Sequence, residues 1–157
     1  MPDLPPALHW TWARFDDLGV HALHDALALR CKVFILEQGP YQDPDGADKH
    51  AWHLLGYDSA GALKACLRVV DPGVNYPEPS IGRVVTAPEA RGGGTGRALM
   101  AQGLARCNQV WPGRAVRISA QAHLWQPGVC DGVRCVPRRR HSPYRDAVEP
   151  ALSSAKR

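Results

Sequence analysis

Ser80-Ile81-Gly82-Arg83-Val84-Val85-Thr86-Ala87-Pro88-Glu89-Ala90-Arg91-Gly92-Gly93-Gly94-Thr95-Gly96-Arg97-Ala98-Leu99-Met100 is the stretch whose reading decides the fold. Its first third is apolar and β-branched, its middle is a glycine cluster, and its end carries Ala, Leu and Met at helical spacing. It therefore reads as strand, tight loop, helix. Such a loop turns backbone N–H groups inward, and the following helix adds the partial positive charge of its N-terminus, so a diphosphate is the natural guest. Two familiar phosphate loops are excluded. No Lys-Ser/Thr pair follows the last glycine, and Arg91-Gly92-Gly93-Gly94-Thr95-Gly96 lacks the G-x-G-x-x-G spacing of a dinucleotide turn.

Working outward, 157 residues, 45% hydrophobic and 22% charged, fit one globular domain with a proper core. No apolar run approaches the ~20 residues of a membrane helix, and no basic-then-apolar segment opens the chain. A cytoplasmic protein without membrane contact is expected. Five scattered cysteines, Cys31, Cys66, Cys107, Cys130 and Cys135, suit reduced thiols better than a disulfide framework, and no zinc spacing is present. The net charge of +4 arises entirely after residue 124. Arg138-Arg139-Arg140 lacks interleaved aromatics, so nucleic acid is not an expected partner.

The rest of the chain falls into alternating elements. His9 to Phe15 alternates as a first strand. From Val20, the positions Leu23, Leu27, Cys31, Phe34 and Ile35 make the stripe of an amphipathic helix ending near Gln38-Gly39-Pro40. Tyr41-Gln42-Asp43-Pro44-Asp45-Gly46-Ala47-Asp48 is acidic, rich in turn formers and expected at the surface. The runs 53–57 and 62–70, joined by Asp58-Ser59-Ala60-Gly61, read as a hairpin. After the central strand and glycine loop, Gly94 to Val110 is a helix stopped by Trp111-Pro112-Gly113, and Ala115 to Gln121 alternates as a fifth strand.

Strand, helix, hairpin, strand, glycine loop, helix, strand marks an α/β (α+β) chain, and this order resembles that of the acetyltransferase fold. Arg91 to Gly96 resembles the Arg/Gln-x-x-Gly-x-Gly/Ala signature of the GCN5-related N-acetyltransferases. Within that superfamily, Arg30-Cys31-Lys32-Val33-Phe34-Ile35-Leu36-Glu37-Gln38, Pro40-Tyr41-Gln42-Asp43, Ile81-Gly82-Arg83-Val84 and Ala120-Gln121-Ala122-His123-Leu124 resemble the ElaA family. The resemblance covers about residues 9 to 124, with one departure at Gln38-Gly39-Pro40, where the family often has an extra residue and a cysteine. It implies a mixed central sheet flanked by helices, and transfer of an acetyl group from acetyl-CoA to a small-molecule amine or a protein amino group by direct attack. It also implies that main-chain groups of Arg83, Val84 and Val85 meet the pantetheine arm and polarise the acetyl carbonyl, while Arg91, Gly92, Gly93, Gly94, Thr95, Gly96 and Arg97 hold the pyrophosphate. Glu37, Gln38 and Asp43, at the junction lining the acceptor side, are substrate contacts or an ordinary acidic loop, with Glu37 also a candidate catalytic group. His123, after the fifth strand, is a candidate base or a capping histidine. An acyl-homoserine-lactone-type synthase and a binding remnant without catalysis are the competing readings.

The resemblance stops at Leu124, dividing a core of residues 1–124 from a tail of 125–157. The superfamily's general acid, a Tyr in a Phe-Tyr-x-x-x-Gly-Phe context after the fifth strand, has no counterpart here; Pro127, Gly128 and Gly132 oppose a helix, and Tyr144 lies in no matching context. A shifted reading frame is the expectation for the break, since Arg139 to Ala147 is encodable so that losing one base yields Asp-Gly-Ile-Pro-His-Ile-Glu-Met, which resembles an ElaA-type ending. The tail is then expected to be irregular, and the chain to bind acetyl-CoA better than it turns it over.

Overall fold

The computed structural model describes residues 7–37 and 42–118. Expectations for Gln38, His123 and the tail lie outside these residues. Within them a five-stranded sheet runs in chain order: β1 (His9–Arg14), β2 (Ala51–Tyr57), β3 (Leu63–Val70), β4 (Ser80–Thr86) and β5 (Arg117–Ile118). Neighbours are antiparallel except β4 and β5, which are parallel, as the intervening helix crossover requires. Helix α1 (Val20–Arg30) follows β1, and α2 (Thr95–Val110) connects β4 to β5. The expected hairpin is present: Asp58 Oδ1 accepts from the amides of Ala60 at 2.9 Å and Ala62 at 2.8 Å, and Gly61 takes φ +80° to close the turn.

Alternation along the strands gives the sheet two apolar faces. Leu55, Cys66 and Val85 pack with Ala26, Leu29 and Val33 of the α1 side. Leu54, Ala65, Leu67, Val69 and Ile81 pack with Leu99 and Cys107 of α2. The α2 side extends to β1 through Trp10 and Trp12, and Trp12 stacks on Trp52 with centroids 5.1 Å apart. Gly56 faces Trp10 across the strand pair, and its missing side chain makes room for the indole.

Two expectations are corrected. The buried line of the first helix is Ala26, Leu29, Arg30 and Val33, a face centred on different residues from the Leu23-Leu27-Cys31 stripe. Apolar periodicity misplaces it because its most buried side chain, Arg30, is charged. The helix also changes pitch, continuing as a π-helical turn over Cys31–Ile35. Second, the acidic loop does not lie wholly at the surface: the side chain of Asp43 is 0% exposed and that of Asp48 5%. Their charges are compensated by arginines reaching in from three other elements.

Candidate active site

The loop between β4 and α2 is built as its glycines dictate. Gly92 takes φ +85° and Gly94 φ +83°, left-handed values that a side chain disfavours. Gly94 stands immediately before Thr95, and no side chain caps the sixteen-residue helix. The first intrahelical bond described runs from the Ala98 amide to the Gly94 carbonyl, so the amides of Thr95, Gly96 and Arg97 have no partner one helical turn back. Thr95 is 2% exposed, and its buried Oγ1 has no hydrogen-bond partner. A buried hydroxyl left unpaired costs about 1–3 kcal/mol. Gly96 brings the first turn beside the end of β4, where an added Cβ would meet Thr86 Cγ2 at 3.8 Å. Arg97 is exposed. Residues 92–97 are thus gathered into one turn presenting amides, whereas Arg91 leaves it: its guanidinium donates to Glu37 Oε2 at 2.9 Å. Glu37 is therefore tied to the glycine loop, joining the end of the first helical segment to the start of the second.

β4 is bulged. Val85 pairs with Cys66, but the next pairing described is Gly82 with Arg68, so Arg83 and Val84 stand opposite Leu67 alone. Side-chain parity records the extra residue, since Ile81 and Val84 both pack toward α2 despite a spacing of three. Val85 turns to the α1 side. Arg83 takes φ +51°, the one left-handed non-glycine residue among those described. β5 joins β4 ahead of this point, at Ser80–Arg117 and Ile81–Ile118.

Beneath the bulge, on the α1 face, six charged side chains close a ring. Arg30 holds Asp43 through two hydrogen bonds. Arg83 Nε donates to Asp43 Oδ1 at 3.0 Å and its Nη2 to Asp45 Oδ2 at 2.8 Å. Arg68 binds Asp45 at 2.5 and 2.9 Å and Asp48 at 2.8 Å. Arg30 then binds Asp48 at 2.8 and 3.1 Å. Each arginine bridges two aspartates and each aspartate two arginines, so the ring is neutral as a whole. Burial alone would raise the carboxyls of Asp45 and Asp48, but hydrogen bonds from the arginines hold both below their ordinary range. Burial opposes the charges of Arg30 and Arg68 too, and the aspartates more than restore them. His53, beside the ring, meets the Asp48 carbonyl through Nε2 at 3.0 Å, and burial holds its pKa below 6.5. Cys66, on the same face, is pushed up to about 12 by burial, which removes it as a nucleophile.

Among the residues expected to contact substrate, Asp43 is thus held inside the ring, and its carboxylate is already met by two guanidinium groups. Sequence reading missed Arg30, Asp45, Asp48 and Arg68 as members of this site. A signal was present: Arg68 interrupts the run Ala65 to Val70, and Arg83 interrupts Ile81 to Val85, as buried charges with partners elsewhere do.

A mixed sheet of this strand order, bulged in β4 and followed by a glycine turn at an uncapped helix N-terminus, defines the acyl-CoA N-acyltransferase fold of the GCN5-related acetyltransferases. No family model matches the chain. A UPF0039 protein of Synechocystis sp. is 45% identical over 118 residues, covering 74% of this chain and 77% of the relative. ElaA of Escherichia coli is 37% identical over 120 residues, covering 74% and 78%. Its crystal structure matches with a TM-score of 0.70 at 36% identity, over 75% of this chain and 81% of that one. The crystal structure of an acyl-CoA N-acyltransferase from Pseudomonas aeruginosa also matches at 0.70, with 40% identity and coverage of 75% and 82%. The chain belongs to the ElaA family, and its class is that of the GCN5-related acyltransferases. Among the described residues no helix is long and apolar enough to cross a membrane.

Proposed function

We propose that this protein transfers an acetyl group from acetyl-CoA to an amine by direct attack, on a small molecule or on a protein amino group. The observation that carries the reading is the pairing, along one segment, of a bulged strand with an uncapped helix start where the Thr95 hydroxyl is buried and unpartnered. The residues fit the group: a diphosphate oxygen at the α2 start would accept from the amides of Thr95 to Arg97 and from Thr95 Oγ1, relieving the orphan. Acetyl-CoA supplies the thioester when bound. Backbone at Val84, taken out of the regular ladder by the bulge, and at Val85 beside it would donate to the acyl oxygen as negative charge develops there. The amine nitrogen forms its bond to the acyl carbon as the carbon–sulfur bond breaks; one proton leaves the amine and one reaches the thiolate. Glu37 and His123 remain the candidates for receiving the amine proton. The Pseudomonas relative's description as an acyl-CoA N-acyltransferase supports the donor class.

Thr95→Val tests this with two readouts of opposite sign. The substitution keeps the β-branched shape and removes the orphaned hydroxyl, so melting temperature should hold or rise. Acetyl-CoA affinity by calorimetry should fall about tenfold or more, the worth of one hydrogen bond to a charged group. Equal affinity in both proteins removes the proposed site.

A further inference from the structure

We propose that the six-membered ring of Arg30, Asp43, Arg83, Asp45, Arg68 and Asp48 is a positioning device that sets the backbone of the β4 bulge at Val84 and Val85. Its catalytic consequence rests on the acyl-transfer reading above; its hold on the backbone does not.

Three observations converge on Arg83. It is the one non-glycine among the described residues in the left-handed region, at φ +51°. It sits where the β3–β4 register breaks. Its guanidinium is gripped at both ends, by Asp43 at 3.0 Å and Asp45 at 2.8 Å. Strained conformations persist where the surroundings over-determine them, and here they do. Asp43 is fixed in turn by Arg30 of α1, Asp45 by Arg68 of β3, and both of those arginines meet on Asp48. The strand is therefore tied by its side chain to a helix on one face of the sheet and to the neighbouring strand. A glycine at 83 would accept the same φ without strain, but without a tether. If cohesion alone were needed here, apolar packing would serve as well, because burying ions is costly. What a closed ring of fork-shaped guanidinium groups adds is direction: each arginine is aimed by two carboxylates.

The test compares wild type, Asp43→Asn, Arg83→Gly and Asp71→Asn. The last breaks the Arg14–Asp71 pair away from the bulge and serves as a structural control. Four quantities are read: melting temperature, amide hydrogen exchange at Val84 and Val85 by NMR, acetyl-CoA affinity by calorimetry, and thiol release with spermidine and a lysine-bearing peptide. In Arg83→Gly and Asp43→Asn, exchange at Val84 and Val85 should rise about tenfold or more relative to Leu54 and Val69, while Asp71→Asn leaves that ratio unchanged. Acetyl-CoA affinity should fall by less than about tenfold, because the glycine turn is untouched and only the contacts of the bulge loosen, and kcat should fall further, about 10- to 100-fold, as for a reacting group displaced by about an ångström. Arg83→Gly keeps the test alive should Asp43→Asn fail to fold. Exchange ratios unchanged in both ring variants overturn the proposal, as does a kcat loss matched by Asp71→Asn. A wild type that binds no acetyl-CoA overturns the acyl-transfer reading instead, and the exchange ratios still decide whether the ring holds the bulge.

Discussion

Asp48→Asn is the sharpest probe of what the ring contributes to stability. The carboxylate is 5% exposed and accepts three hydrogen bonds: from Arg30 and Arg68 at Oδ1, each 2.8 Å, and from Arg30 at Oδ2, 3.1 Å. Asparagine of the same shape keeps the acceptor at Oδ1 but sets an NH2 group against Arg30 Nη2, donor facing donor. The balance of three cations and three anions becomes three and two, in a place with little water to compensate. Removing one partner of a buried ionic cluster costs about 3–5 kcal/mol, a large share of the roughly 5–15 kcal/mol that holds a domain together. At about 2–4 °C per kcal/mol for a chain of this length, the melting temperature should fall by about 10 °C. A thermal melt followed by circular dichroism measures this shift, and urea unfolding at pH 7 measures the free-energy loss, with an unchanged m-value showing that the folded state is still compact. Adding Arg68→Met to Asp48→Asn removes a cation that has lost one of its two carboxylates, so the double variant should lose less than the sum of the singles. A loss under about 1 kcal/mol, typical of an exposed pair, would refute the argument that the ring works as a buried unit.

Two further outcomes follow from the same structure. Stability should fall on acidification in two stages: burial holds His53 below 6.5, so the unfolded chain takes up a proton first, and stability declines as pH drops below that value. Asp45 and Asp48 are held below 3.8, so their contribution is present above that pH and disappears as pH falls through their lowered values; melts between pH 3 and 8 that show no decline would contradict this. Gly56→Ala should lift Trp10, since the new Cβ would lie 2.6 Å from Trp10 Cζ3. The expected cost is about 1–3 kcal/mol, with a changed tryptophan emission, and a variant identical to wild type in both would show that the indole does not rest on Gly56.

The sequence by itself determined what is local. Strand, glycine turn and helix between Ser80 and Met100, the Asp58–Gly61 hairpin and the element order follow from periodicities and turn chemistry that act over a few residues, and all are present. The tight glycine turn before Thr95 was legible for the same reason, whereas the left-handed φ of Gly92 and Gly94 in particular came from the structure. The tertiary structure decided what depends on residues far apart in the chain. No local signal says that Arg30, Asp43, Arg68 and Arg83 meet, because an arginine in an apolar run carries no mark of which carboxylate will neutralise it. The buried face of α1 was misread on that account, since hydropathy counts Arg30 as polar, whereas Asp43 and Asp48 make burying it tolerable. The β4 bulge was equally hidden. Ile81-Gly82-Arg83-Val84-Val85 reads as an unbroken strand, and only pairing with β3 reveals that Arg83 and Val84 share one opposite residue. Register belongs to two strands at once, and the charges that hold it here come from a third element and a loop.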